Sequence, residues 1–312
     1  MAEHHNPTVK PRPNLNPSLE VETLKKAMKG MGTDEAAIIK VLVGCTSNQR
    51  HIIHQQYDNT FSRDLIKDLK KELRGNFEDV ILALMRPRVE YLSRELHQAL
   101  EHKKGLVLVE ILCTHDNATL KAIKSSYNKE HDDGMEDDLR KKLSGVFEAV
   151  MVGMAAALRS DYFNPDDSQI IAHKLYNGGN GLITGELVTA FSTLSFKQLH
   201  GVFVNYYQLA GRTLGETIEH EYKAEEKNNL KHVFKCLQNR AAFFAESLHN
   251  SLAGMGTKDQ DLIRLIVSRS EVDLGDIKNE YLTLYSKTLE ADIKADTSGD
   301  YKKVLLALLD PN

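Results

Sequence analysis

From residue 18 to the C-terminus, apolar residues recur at helical spacing, and the pattern is cut into short runs by polar caps, glycine and proline. In the first stretch Leu24, Ala27 and Met28 share one face, as do Ile38, Ile39, Leu42 and Val43, and then Ile52 and Ile53. Leu65, Leu69 and Leu73 follow at i, i+4, i+8, and Phe77, Val80, Ile81 and Leu84 close the set. Apolar residues three and four apart line one side of a 3.6-residue turn, so the pattern predicts five successive amphipathic helices. Ser18, Thr33, Ser47 and Ser62 stand where N-caps are expected. Asp34 and Glu35 sit where the positive helix end favours acids. Arg74-Gly75-Asn76 and Arg86-Pro87 are stops. No segment alternates with the period of two that a strand requires.

The pattern then repeats. Tyr57, Tyr127, Tyr206 and Tyr281 are separated by 70, 79 and 75 residues, and Gly75, Gly145, Ala224 and Gly299 show the same three intervals. A period of this length signals a modular architecture. The chain divides into a Pro-rich tail (1–17), a first repeat (18–87), a second (88–158), a linker (159–168) containing Asn164-Pro165-Asp166-Asp167, a third repeat (169–240) and a fourth (241–312). The fold class expected is all-α, four homologous five-helix repeats.

Composition narrows the function. A net charge of −4 is small and of the wrong sign for a nucleic-acid binder, and gives no unaided attraction to an acidic membrane. No apolar run reaches the 18 or more residues of a spanning helix, and residues 1–15 lack the apolar core of a signal peptide. Cys45, Cys113 and Cys236 are odd in number and lack metal-ligand spacing, which fits free, buried thiols and a cytoplasmic protein.

The chemistry lies between the helices. Met28-Lys29-Gly30-Met31-Gly32-Thr33 is followed by Glu72, and Leu252-Ala253-Gly254-Met255-Gly256-Thr257 by Asp296. The separation from Met28 to Glu72 and from Leu252 to Asp296 is 44 positions in both cases. Alternate glycines let the backbone turn so that successive carbonyls point one way. A hard cation such as Ca²⁺ takes six to eight oxygens from carbonyls, carboxylates and water. Met28, Gly30, Gly32 and Glu72 form one candidate calcium site, and Leu252, Gly254, Gly256 and Asp296 the other. A site with one carboxylate binds calcium weakly and leaves its shell open, so that a lipid phosphate or carboxylate can complete it.

Four five-helix repeats, with G-x-G-T after the first helix and a remote acid before the last, resemble the annexin core from Ser18 onward. The resemblance implies a curved disc and reversible, calcium-dependent binding to acidic phospholipid membranes at their cytoplasmic face. It implies a monomer in solution that can self-associate on membranes, with Ca²⁺ as the only cofactor and no catalysis. It pairs the first repeat with the fourth and the second with the third.

The repeats depart from the pattern unequally. In the second, Leu100-Glu101-His102-Lys103-Lys104-Gly105 is two residues shorter than the first loop, and the acid position holds Lys142; no main site is expected there. In the third, Gly178-Gly179-Asn180-Gly181 is about three residues short of the family pattern and lacks the G-T ending, although Glu221 is kept. It reads either as a variant calcium loop or as a flexible connector beside a surface glutamate. Minor calcium positions of the family match Thr33 and Glu35, and Lys70, Leu73 and Glu78; Glu35 and Glu78 also read as ordinary helix-surface acids. The polar passage linked to ion conduction in the family has Glu110 and Arg264 in place, but Leu92 and His115 where charges are usual. The arginine common at the start of the third helix reads Cys45, His115 and Leu194, with only Arg269 kept. His51 and His54, and Cys113 with His115, lack the partners an enzyme site needs. The alternatives to calcium-dependent membrane binding are an α-helical protein-interaction scaffold and a membrane-associated ion-conducting activity.

Overall fold

The structure, a computed structural model, describes residues 6–30, 32–176, 178, 181–254 and 256–311. Among them are twenty α-helices and no strand. The first repeat holds α1 (Pro17–Ala27), α2 (Glu35–Val43), α3 (Ser47–Phe61), α4 (Leu65–Glu72) and α5 (Gly75–Met85). The second holds α6 (Arg88–Glu101), α7 (Gly105–Leu112), α8 (Asn117–Glu130), α9 (Met135–Lys142) and α10 (Gly145–Ala155). The third holds α11 (Pro165–Tyr176), α12 (Thr184–Thr193), α13 (Phe196–Ala210), α14 (Leu214–Glu221) and α15 (Ala224–Gln238). The fourth holds α16 (Arg240–Leu252), α17 (Asp259–Ser270), α18 (Leu274–Tyr285), α19 (Leu289–Asp296) and α20 (Gly299–Leu309).

The chain forms two compact units. One is Leu92–Phe243, carrying the second and third repeats; the other joins the stretch ending at Tyr91 to the one beginning at Phe244, carrying the first and fourth. Within the latter, the arm before α1 is held by backbone bonds. Val9 N–H donates to Ser270 O at 2.9 Å, and Gly275 N–H donates to Asn6 O at 2.9 Å. The Thr8 hydroxyl lies within bonding distance of both Ser270 O and Leu308 O.

The helix starts are shifted from those the sequence suggested. Asn16, not Ser18, caps α1, accepting from Leu19 N–H. Asp34, not Thr33, caps α2, accepting from Ala37 N–H at 2.9 Å. Thr46 precedes α3, while the Ser47 hydroxyl accepts from Arg88 N–H at 3.2 Å. Asp64 caps α4, and Ser62 sits in the left-handed region that ends α3. Several oxygens competed for each orphan N–H, and the backbone path decided between them. The expected 159–168 linker is already helical from Pro165, because proline's fixed φ suits the first turn.

The repeating tyrosines are buried, and each hydroxyl donates to the residue eleven positions on. Tyr57 donates to Asp68 (2.9 Å), Tyr127 to Asp138 (2.5 Å), Tyr206 to Thr217 (3.0 Å) and Tyr281 to Asp292 (2.6 Å). This bond ties the third helix of each repeat to the fourth, which ends at the acid position of the loop site. The glycines of the second periodic set all have φ near +60°, and Ala224 takes the same left-handed conformation at φ +50°.

Two arginines supply what Cys45 and Leu194 lost. The buried Arg50 donates to Leu42 O, Cys45 O and Leu84 O, and pairs with Glu271 at 2.7 Å. Arg159 donates to Phe191 O and Leu194 O. The retained Arg269 is buried, paired with Asp273 and stacked 4.4 Å from the Phe244 ring. Glu110, His115 and Leu92 are buried in their unit, and Arg264 is buried in the other, bonded to Asp261 at 2.8 Å.

Candidate metal centre

In the first repeat α1 ends at Ala27, and the chain returns to α2 through a loop closed by Asp34 N–H to Ala27 O at 2.9 Å. The fourth repeat closes identically, Lys258 N–H to Ser251 O at 2.8 Å. Gly30 and Gly32 have φ of +112° and +95°, and Gly254 and Gly256 of +114° and +92°. L-residues rarely adopt these angles, so the turns depend on glycine. A methyl group added at any of the four would meet no atom within 4 Å, so the loop faces are clear.

The end of α4 brings Glu72 to the first loop, where the Thr33 hydroxyl donates to its Oε2 at 3.3 Å. In the fourth repeat the Thr257 hydroxyl donates instead to the Asp296 backbone carbonyl at 3.2 Å, at the end of α19. Both acids are exposed. Thr33, expected as a cap, thus joins loop to acid. The central Met31 and Met255 lie outside the described residues.

The third loop keeps the register that its sequence had obscured. Glu221 accepts from Leu182 N–H at 2.7 Å, across 39 positions, the separation also seen from Thr33 to Glu72 and from Thr257 to Asp296. Gly181 therefore corresponds to Gly32 and Gly256, and its φ of +99° matches theirs. A methyl group added at Gly181 would meet the Glu221 carboxylate at 3.4 Å. The loop is not short between glycine and acid; what it lacks is the threonine hydroxyl, whose place the Leu182 amide takes. Gly178 also has positive φ, while Gly179 and Asn180 lie outside the described residues.

The second loop is built differently. Lys104 N–H closes it to Ala99 O at 2.8 Å, five positions apart instead of seven. Lys142 ends α9 at the acid position, and its ammonium pairs with Glu101 of the loop, which holds the Glu101 carboxyl below its usual range.

Among the described residues no group of three or more His, Cys, Asp or Glu gathers. A cation at the first, third or fourth loop would thus take one side-chain acid and backbone carbonyls, a donor set that suits calcium and not a softer transition metal. The clear loop faces and the acid beside each fit such an ion. Of the minor positions, Glu35 lies in the first turn of α2 beside Thr33. The Lys70 and Leu73 carbonyls, however, both accept from the Arg74 guanidinium, so an ion there would compete with that group for them.

The Annexin family model matches residues 20–84, 91–154 and 243–308. Annexin B10 of Drosophila melanogaster is 41% identical over 312 residues, covering 97% of each chain. Among solved structures, annexin III superposes with a TM-score of 0.93 at 31% identity, covering 99% of this chain and 98% of that one. Calcium-bound annexin (Sm)1 superposes with a TM-score of 0.88 at 31% identity, covering 98% and 93%.

Proposed function

This chain belongs to the annexin family, whose members bind phospholipid in a calcium-dependent manner, and from that premise we propose that its first, third and fourth loops bridge calcium to acidic lipid headgroups. The observation that carries the reading is the common 39-position closure of loop on acid in those three repeats. The carbonyls of Met28, Gly30 and Gly32 with Glu72 would hold one ion, and those of Leu252, Gly254 and Gly256 with Asp296 another. In the third repeat Gly178 and Gly181 with Glu221 would play these parts, Gly179 lying outside the described residues. Thr33 and Glu35 form the secondary position that remains open.

Calcium, when bound, supplies a hard cation whose free positions accept phosphate or carboxylate oxygens from lipid. This chain's own contribution is to present the carbonyls on glycine turns and to offer a single carboxylate per loop. That limited negative charge keeps affinity for the free ion low. Lipid oxygens complete the shell, so lipid raises calcium affinity by the same factor that calcium raises lipid affinity. Among the described residues no helix is long and apolar enough to cross a membrane, and in this reading contact with lipid is peripheral and reversible, at the cytoplasmic face, by a chain that is monomeric in solution. Among the described residues of the loops no nucleophile stands paired with a general base, and no catalysis is proposed.

The test is sedimentation with vesicles of phosphatidylserine and phosphatidylcholine at physiological salt. The protein pellets in calcium and returns to the supernatant with chelator. Pelleting that is unchanged by chelator under those conditions defeats the bridging mechanism.

A further inference from the structure

We propose that the second repeat carries a calcium-independent contact for lipid phosphate, in which Lys103 and Lys142 supply permanently the positive charge that the other loops acquire from an ion. Lys142 stands 39 positions after Lys103, the register of Glu72 with Thr33 and of Asp296 with Thr257. Both partners of the loop–acid closure have thus become lysines. Lys103 is held with φ +53°, where non-glycine residues are uncommon. His102, Lys103 and Lys104 are all exposed.

Charge counted over equivalent positions shows what the exchange does. Residues 28–33 with Glu72 carry one lysine and one glutamate, a net of zero. Residues 252–257 with Asp296 carry −1. Residues 100–103, the shorter equivalent, with Lys142 carry two lysines against Glu101, a net of +1, counting His102 as neutral, and Lys104 follows at once. The first loop becomes positive only after taking up a divalent ion. The second loop has positive charge built in, on a chain whose overall balance is −4.

The lysines also flank a formed space. Lys103 and Lys142 line a cavity of about 160 Å³ together with Ser144 and Asn229. Two acids, Glu225 and Glu226, line it as well, and Glu226 is engaged in accepting from Val146 N–H at 2.7 Å. Glu101 engages Lys142 through one carboxylate oxygen, and an ammonium has three N–H donors. A lipid phosphate can therefore approach Lys142 without breaking that pair. The lipid surface is the assigned occupant because this loop is the homologue of the proposed calcium loops; the inference rests on the proposed function only for which face of the repeats meets the membrane.

The contact is electrostatic and exposed, so it is screened at physiological salt and emerges at low ionic strength. The experiment measures binding to phosphatidylglycerol vesicles in chelator, at about 10 mM ionic strength, where the Debye length is roughly 30 Å. Wild-type protein retains weak binding that salt abolishes. Lys103→Gln and Lys142→Gln each lower it about fivefold, the effect of one lysine at an anionic surface, and Lys103→Arg leaves it in place. The Glu72→Gln/Glu221→Gln/Asp296→Asn variant keeps the chelator-resistant binding while losing the calcium-dependent part. Absence of chelator-resistant binding, or equal binding by both glutamine variants and wild type, overturns the assignment. Displacement by inorganic phosphate or an oligonucleotide beyond that of chloride at matched ionic strength also overturns it, by assigning the lysines to a free anion or nucleic acid. Failure of calcium-dependent binding with the chelator-resistant part intact would refute the calcium loops alone.

Discussion

The Leu182 amide donates to the Glu221 carboxylate at 2.7 Å, and this bond sets the third repeat in register with the first and fourth. It brings Gly181 into the position of Gly32 with nearly the same φ. The third loop thereby has the turn and the acid of the others without their threonine.

The first prediction follows from that bond. Glu72→Gln, Glu221→Gln and Asp296→Asn each preserve size and remove the one carboxylate of a loop. Each is expected to raise the calcium needed for half-maximal vesicle binding several-fold, because tethered contacts act at high effective concentration. The triple variant binds no vesicles at physiological salt. Calcium titration of vesicle sedimentation checks this, and a Glu221→Gln curve that overlays wild type removes the third repeat from the set.

Lys142→Asp should not convert the second repeat into a calcium site. The loop closes across five positions, Ala99 to Lys104, where the first loop uses seven, and has lost the glycine pair that turns its carbonyls. Calorimetric titration in the presence of lipid headgroup analogue should give the same calcium stoichiometry for this variant as for wild type. One additional ion would show that the shortened loop can present its carbonyls.

Ala224→Gly is expected to stabilise the protein by about 1 kcal/mol, since a left-handed conformation costs an L-residue roughly 1–2 kcal/mol that glycine avoids. The other three repeats already have glycine at this place with φ between +61° and +68°. Denaturant unfolding measures it, with a higher midpoint and an unchanged slope as the expected outcome.

A pH effect is expected in the second repeat. His97 and His131 stack with centroids 3.7 Å apart, where the first repeat places Lys25 over Phe61 and the fourth stacks His249 on Tyr285. Tyr127 gives its proton to Asp138, so the His97 Nδ1 bonded to that hydroxyl is the donor. The Nε2 atom is then the one that titrates, with Glu101 3.9 Å away. Burial, then His131 and Lys142, lower the His97 pKa, which the Glu101 and Asp138 charges only partly oppose. A histidine with a depressed folded pKa binds more protons when unfolded. Its contribution to stability is present above the unfolded value of about 6.5 and is lost as pH falls through the lower folded value. Unfolding free energy should therefore fall between pH 7.5 and pH 5, and His131→Phe should flatten that fall by removing the neighbouring imidazole. An unchanged slope in His131→Phe would show that the stacked pair is not its source.

Much of this was legible in one dimension. The 3.6-residue spacing of Leu65, Leu69 and Leu73, the tyrosines at fixed intervals and the paired glycines before Glu72 and Asp296 are local or periodic properties, and they determine helices, repeats and two candidate sites without any knowledge of packing. The proposal of calcium also starts there, because one acid and two turning glycines offer an oxygen donor set that suits a hard cation. The cap residues were missed for the opposite reason. Ser18, Thr33, Ser47 and Ser62 each compete with a neighbouring oxygen, and only the path of the backbone selects the acceptor.

The tertiary structure decided what depends on distance across the chain. It joined Leu182 to Glu221, whose register was hidden by a change of residue type, since a backbone amide can do the work of a threonine hydroxyl and leaves no mark in the sequence. It brought Arg50 and Arg159 to the carbonyls left by the exchanges at Cys45 and Leu194, because a long guanidinium can reach one end of a helix from more than one starting point. It set the Arg74 guanidinium against Lys70 O and Leu73 O, a competitor for carbonyls that spacing alone left free for calcium. Lys142 shows both halves together: its charge, read in sequence, argues against calcium, while its pairing with Glu101 beside the Lys103 cavity arises only when the end of α9 is folded against the loop.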